Sequence, residues 1–157
     1  MLVVEGRGGV SWLTRTGLDL RGVTNIYQMA NTPDPRDFYK VSRVVLMPSL
    51  WQEALGRVAA EAMMNGIPVL GSNRGGLPEV LAEAGFIMNV PAKYTPESRE
   101  VPTVAEVLPW IEKIIRLYDD PAFYEAESRR ALGAAQAWRP ERLLPRWEAF
   151  FTELPRR

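Results

Sequence analysis

Two carboxylates, Glu53 and Glu61, flank Gly56 in the stretch Ser49 to Val80, SLWQEALGRVAAEAMMNGIPVLGSNRGGLPEV. Gly56 reads as a helix start, and a glycine at a helix N-terminus lets backbone N–H groups meet a phosphate. A carboxylate inside the following helix can accept hydrogen bonds from a ribose diol. An apolar strand and a second glycine turn, Gly75-Gly76, come next. Taken in order, these residues suggest the binding of a sugar nucleotide.

The elements that must position them are legible around the same stretch. Val44-Val45-Leu46-Met47, closed by Pro48, suits a buried parallel strand. From Gly56 to Asn65 the residues are nearly all small or apolar, which predicts a helix buried on almost every side. Glu61 is out of place there. An unpaired buried carboxylate is costly, so the site should supply donors from protein or ligand; the plainer alternative is a solvated or salt-bridged Glu61. Glu53 falls in the loop at the helix mouth, where its alternative is a simple surface charge. Gly56 could merely ease the loop into the helix, and Gly75-Gly76 could be only a turn. Asn65-Gly66 predicts a left-handed helix end, Ile67 to Leu70 the next strand, and Ser72 to Glu79 a turn into another helix.

Glu53 and Glu61, eight positions apart with Gly56 three after the first, match the signature of the retaining nucleotide-sugar glycosyltransferases of group 1 type. EAMMNGIPVLGSNRGGLPE resembles that family's run from helix through strand to glycine turn. The resemblance is strong over about Val41 to Val90 and looser toward the C-terminus. It implies the two-Rossmann-domain GT-B fold and a donor-binding role for this chain. By that resemblance Glu53 would take the catalytic position, facing the donor sugar's hydroxyls. Backbone amides near Leu55, Gly56 and Arg57 would hold the diphosphate, and Glu61 would bind the ribose hydroxyls. Arg57 replaces a residue that is often apolar in the family, so only its backbone is assigned. For the base, the resemblance points to the loop after the second strand, hence to Tyr27, Gln28 and Met29.

Along the rest of the chain strands alternate with helices, which implies an α/β, Rossmann-like parallel sheet covered on both faces. Leu2-Val3-Val4 is a short strand leading into Glu5-Gly6-Arg7-Gly8-Gly9, a glycine cluster short of a dinucleotide fingerprint and readable as a plain turn. Trp12 to Thr16 suggests a short helix, and Val23 to Tyr27 a second strand. Asp34-Pro35 opens a helix through Phe38, Tyr39 and Val41. Phe86-Ile87-Met88 is the fifth strand. Ligands on such sheets sit beyond the carboxyl ends of the strands, so the loops from Gln28, Pro48 and Ser72 are expected to converge on one cleft. Residues 91–102 read as a surface insertion without assigned function. Val104 to Tyr118 is an amphipathic helix that Pro109 should kink or truly begin. Asp119-Asp120-Pro121 begins another toward Ala137. Pro140 to Leu154 carries Trp147, Phe150 and Phe151, expected mostly in core packing.

At 157 residues and 46% apolar, the chain is expected to form one domain, residues 1–157. Its formal charge is zero, so no general attraction to nucleic acid or anionic membrane is implied. No apolar run approaches the roughly 18 residues that span a bilayer; Met1 onward does not read as a signal peptide, and a cytoplasmic location is expected. Without cysteine or histidine, thiol chemistry is excluded and a zinc site of the usual ligands is disfavoured.

The resemblance also implies what is missing. In the family the donor-binding domain opens with a strand and helix bearing an Arg and a Lys that neutralise the diphosphate. This chain is expected to lack that unit and the acceptor-binding N-terminal Rossmann domain, and so to be inactive alone. The resemblance implies a nucleoside-diphosphate sugar as partner, retention of configuration, metal independence and no cofactor. Two further readings stay open: a non-catalytic nucleotide-sugar-binding module, and a non-hydrolysing sugar-nucleotide epimerase, which the Glu53/Glu61 spacing fits less well.

Overall fold

In the computed structural model, which describes residues 2–4, 22, 24–29, 32–81 and 83–154, the chain divides into two units, Met1–Ser42 and Arg43–Arg157. The glycine cluster at residues 5–9 and the helix expected at 12–16 lie outside the described residues.

In the first unit β1 (Leu2–Val4) pairs in parallel with β2 (Tyr27–Met29), Leu2 opposite Tyr27 and Val4 opposite Met29. The second strand expected at Val23 to Tyr27 is therefore displaced: it begins at Tyr27. Asn25 occupies a bend just before it, in keeping with asparagine's preference for turns over ladders. A one-turn helix, α1 (Arg36–Tyr39), follows. The Asp34 carboxylate accepts from the Arg36 amide at 3.0 Å and from its guanidinium at 2.7 Å, which holds the carboxyl down at about 2. The helix does not run on through Val41 as expected. The Ser42 amide and hydroxyl donate to the carbonyls of Tyr39 and Phe38, turning the chain away, and Val41 is exposed.

In the second unit β3 (Val45–Met47), β4 (Val69–Ser72) and β5 (Phe86–Met88) form a parallel sheet in that order, with Leu46 opposite Leu70 and Leu70 opposite Phe86. β4 lies between its neighbours and is buried throughout. It starts two residues later than the expected Ile67, because Pro68 has no N–H for the ladder; its carbonyl accepts from Val45 at the edge, 3.0 Å. β3 is an outer strand of this sheet and Leu46 is partly exposed, so the expectation of a fully buried strand fails there.

Helix α2 (Arg57–Met64) joins β3 to β4, and α3 (Leu77–Leu81) joins β4 to β5. α2 ends in a Schellman motif: Gly66 donates to Met63 and Ile67 to Ala62, at 2.9 and 3.0 Å. Beyond β5 come α4 (Val104–Asp119), α5 (Pro121–Ala135), a short 3-10 turn (Gln136–Trp138) and α6 (Pro140–Glu153). Thr103 and Glu106 form a capping box that starts α4. Pro109 is thus interior and does not mark the helix start. Asp120 caps α5 through the Phe123 amide at 2.9 Å, with Pro121 in the tolerated first turn.

The core gathers Leu70, Met88 and Leu117, with Phe86, Trp110, Ile114 and Phe123 packed on them. Arg43 closes one side: its guanidinium lies 3.9 Å over the Tyr124 ring and donates to the Leu117 carbonyl at 3.2 Å. α4 buries only part of its apolar surface, since Val104, Leu108, Ile111, Ile115 and Tyr118 form an exposed stripe. The aromatics of α6 contradict the core-packing expectation. Trp147 stacks on Phe151 with centroids 5.9 Å apart, yet both rings and Phe150 are more than half exposed. They pack on one another along one helix face at three- and four-residue spacing.

Candidate functional site

The carboxyl ends of β3 and β4 meet through two serines. Ser72, fully buried at the end of β4, donates its hydroxyl to the Ser49 carbonyl at 2.7 Å. Ser49, two residues beyond β3, donates its own hydroxyl to Glu53 Oε1 at 2.8 Å. Glu53 is thereby tethered to the sheet, and the simple surface-charge alternative does not describe it. Neither serine carries a sequence signal, because a hydroxyl near a strand end is commonplace.

The Gly75-Gly76 turn closes on the same loop. The Gly76 amide donates to the Glu53 carbonyl at 2.6 Å, and the Gly75 amide to Gln52 Oε1 at 2.9 Å. A Cβ on Gly75 would strike the backbone nitrogen and oxygen of Glu53, and one on Gly76 would lie 2.7 Å from the Ala54 carbonyl oxygen. Two glycines are required here for close backbone approach. They are more than a turn.

Gly56 is buried and caps α2 with φ +84° and ψ 52°, in the left-handed region. A Cβ there would also meet Leu77 Cδ2 at 2.5 Å. Gly56 brings no side-chain acceptor to the helix N-terminus, and its carbonyl takes the Ala59 amide at 2.9 Å. Leu55 and Arg57, on either side, point largely into solvent.

Glu61 lies one turn further along, and the expected burial of this helix on all sides needs correction. α2 buries Ala59, Ala60, Ala62 and Met63, while Arg57, Val58 and Met64 are exposed. The helix is one-sided, and Glu61 belongs to the open face. Its side chain is 31% exposed, and Arg57 Nε stands 3.2 Å from its Oε1 in an i,i+4 pair. The salt-bridged alternative describes it. The structure thus assembles Glu53, Leu55, Gly56, Arg57 and Glu61 around one helix entrance. Tyr27 and Gln28 belong to the first unit, where they are residues of β2 and not of the loop after it.

Residues 91–102 are no mere surface insertion. Tyr94 is buried and donates its hydroxyl to Glu106 Oε2 at 2.7 Å. Lys93 bridges Glu100 and Glu106, each at 3.1 Å. Hydrogen bonds from the Thr103 backbone first, then from the Tyr94 hydroxyl, hold the Glu106 carboxyl down at about 2. Burial pushes the Tyr94 phenol up, and its carboxylate partner adds to this. The loop is stitched to the glycine turn as well. Asn73 Oδ1 accepts from the Val90 amide at 3.0 Å, and Arg74 Nη2 donates to the carbonyls of Pro91 and Tyr94 at 2.8 and 3.2 Å. Beside it, Leu46, Leu50, Val90, Tyr94 and Trp110 line an apolar groove of 390 Å³. Among the described residues, no three carboxylates gather as metal ligands, and no helix is long and apolar enough to cross a membrane.

A model of the family described as glycosyl transferases group 1 matches residues 15–135. The chain belongs to that family. Spore coat protein SA of Bacillus subtilis (strain 168) is 44% identical over 64 residues, covering 40% of this chain and 17% of that protein. Among solved structures, the pneumococcal O-GlcNAc transferase GtfA in complex with UDP and GlcNAc superposes with a TM-score of 0.74 at 17% identity. It covers 97% of this chain and 29% of its own. Anabaena HepE in complex with UDP-glucose gives 0.62 at 21% identity, covering 85% and 35%. At such identities the likeness is one of fold: the Rossmann-like α/β arrangement of these glycosyltransferases. The chain spans about a third of the solved relatives' length.

Proposed function

We propose that this chain is the donor-binding portion of a retaining glycosyltransferase, the C-terminal half of a GT-B fold, acting on a nucleoside-diphosphate sugar. The observation that carries the reading is the Glu53 loop fastened by the Gly75-Gly76 turn at the entrance of α2, with Glu61 one turn inside. In this reading Glu53 faces the hydroxyls of the transferred sugar and the amides at Leu55, Gly56 and Arg57 receive the diphosphate. The Glu61 carboxylate accepts from the ribose hydroxyls, exchanging its exposed contact with Arg57 for the ligand. Tyr27 and Gln28 are the base-side candidates.

Catalysis then consists of holding the sugar at the correct geometry and stabilising the departing diphosphate with preoriented amides. Metal independence and retention come with the family resemblance and belong to the proposal, as does an acceptor-binding domain elsewhere in the same protein. The HepE structure is a complex with UDP-glucose and the GtfA structure one with UDP and GlcNAc, so uridine nucleotides are the first donors to test.

Calorimetry with UDP, GDP, ADP and their glucose conjugates tests the reading, on this chain and on the longer protein containing it. The expected outcome is weak diphosphate binding and no transfer by the chain alone, with transfer by the longer protein and a product of the donor's anomeric configuration. A longer protein that binds none of these nucleotides, or gives the inverted anomer, sinks it.

A further inference from the structure

We infer that Arg74 is a positioning residue, coupling the 91–102 loop to Glu53 through the glycine turn. The segment 73–76 is held from both ends. On one side Asn73 takes the Val90 amide at 3.0 Å and pairs its Nδ2 with Asn89 Oδ1 at 3.0 Å, while its own amide donates to Met88 at 3.1 Å. Arg74 Nη2 adds two charge-assisted bonds, to the carbonyls of Pro91 and Tyr94. On the other side Gly75 and Gly76 donate to Gln52 and Glu53. Arg74 and Gly75 are adjacent, so no slack separates the two grips. Glycines packed against the Glu53 backbone leave no room to absorb a shift. A displacement of residues 91–94 therefore reaches the Glu53 carbonyl through three successive residues.

The guanidinium is kept for its position. Its Nε is buried and has no acceptor among the described residues, so the arrangement does not satisfy every donor the side chain brings. What it does achieve is to reach two carbonyls three residues apart from a single nitrogen. Removing the side chain relieves the unpaired donor, which offsets part of what losing the two bonds costs. Arg74→Met should consequently leave a folded protein with a loosened relay. The consequence for transfer rests on the reading of Glu53 as the residue facing the donor sugar; the mechanical coupling does not.

Amide hydrogen exchange followed residue by residue separates the two. In Arg74→Met, exchange at Val90 and Tyr94 should accelerate tenfold or more, and exchange at Gly76, the donor to Glu53, should accelerate with them; amides within α5 should not change. Tyr94→Phe is the control, because it removes the hydroxyl's bond to Glu106 while leaving the Lys93 bridges and both backbone carbonyls held by Arg74. It should accelerate exchange near Tyr94 and keep Gly76 within threefold of the parent. Arg74→Lys, which retains charge without the reach to both carbonyls, should fall between. Loosening of 90–94 with Gly76 unmoved, or equal acceleration of Gly76 by Tyr94→Phe, overturns the coupling. In the longer protein, Arg74→Met should lower kcat tenfold with the donor KM within twofold. Absence of any transfer activity in the parent would count against the functional reading and leave the exchange result standing.

Discussion

The amide of Gly76 donates to the carbonyl of Glu53 across 2.6 Å, joining the turn after β4 to the loop after β3. Between them no side chain fits. This contact, with the Ser72–Ser49–Glu53 chain of hydroxyls, fixes Glu53 from its backbone and from its carboxylate at once. A loop residue held at both ends is preorganised, as the role proposed for Glu53 requires.

Substituting either glycine of the turn should therefore cost stability and displace Glu53 together. Gly75 adds backbone strain to the collision, with φ +54°. Gly75→Ala should lose on the order of 1–3 kcal/mol, the range for a strained backbone, read from the urea midpoint. Gly76→Ala, with φ outside the left-handed region, should lose less. A Gly75→Ala protein as stable as the parent would show that the turn does not press on the Glu53 loop.

Gly56 makes a different coupling. Its Cβ would meet the flexible end of Leu77 at 2.5 Å, so Gly56→Ala combines left-handed strain with a clash. Leu77→Ala alone should cost about 2–5 kcal/mol as a buried leucine truncation. The double substitution should cost less than the sum by about 0.5–3 kcal/mol, the usual size of a contact coupling. Additive losses would place the penalty in the backbone alone. Any loss of diphosphate binding in a Gly56 variant must be compared with this stability loss before it is read as blocked access to the amides.

How much of this was legible depends on where the information resides. Gly56 as a helix start, the Asn65-Gly66 helix end, Asp120 before Pro121 and the strand at 86–88 are local, and local chemistry wrote them. The exposure of Glu61 was not, because α2 is rich in alanine and methionine on every face; only the packing of Ala59, Ala60, Ala62 and Met63 decides which side is open. Arg74's role escapes sequence reading for another reason. Its partners are the backbone carbonyls of Pro91 and Tyr94, and a carbonyl has no residue type. The α6 aromatics read as core because large aromatic side chains are more often packed inside; the structure leaves Trp147, Phe150 and Phe151 to solvent.

Acid should act on α4 through Glu106. Its carboxyl is held at about 2, below the roughly 4.3 of a free glutamate. A depressed folded value means that its contribution is fully present above the unfolded value and is lost as pH falls through the folded one. Stability should decline between about pH 5 and pH 2 in part through this group. Glu106→Gln should flatten that decline, and Tyr94→Phe, by removing one donor to the carboxylate, should move it to higher pH. Tyr94 titrates in the opposite sense. Its raised value gives a contribution present below the ordinary phenol range near 10 and lost as pH rises through the folded value. Urea midpoints at several pH values check both; an unchanged acid slope in Glu106→Gln would remove the capping box from the account.

The two glutamates of the helix entrance should separate in binding and in stability. The Arg57–Glu61 pair is an exposed i,i+4 contact, with Arg57 85% open, and such pairs contribute only about 0.3–0.5 kcal/mol. Through this pair Glu61→Gln should therefore shift the urea midpoint by no more than that amount. If the carboxylate accepts from both ribose hydroxyls, the same change should weaken nucleoside diphosphate binding by about 1.5–3 kcal/mol, the range for hydrogen bonds to a charged group. A 2′,3′-dideoxy nucleotide should already lack most of that energy, so analogue and variant should not add. Glu53→Ala should do the reverse: it breaks the bond from Ser49 and removes the group proposed to face the sugar. Affinity for the free nucleoside diphosphate should survive while turnover of the intact donor falls, chiefly in the rate constant. Calorimetry on both variants, with transfer assayed in the longer protein, decides the assignment. If Glu53→Ala abolishes diphosphate binding while Glu61→Gln leaves it intact, the sugar and the ribose have been assigned to the wrong carboxylates.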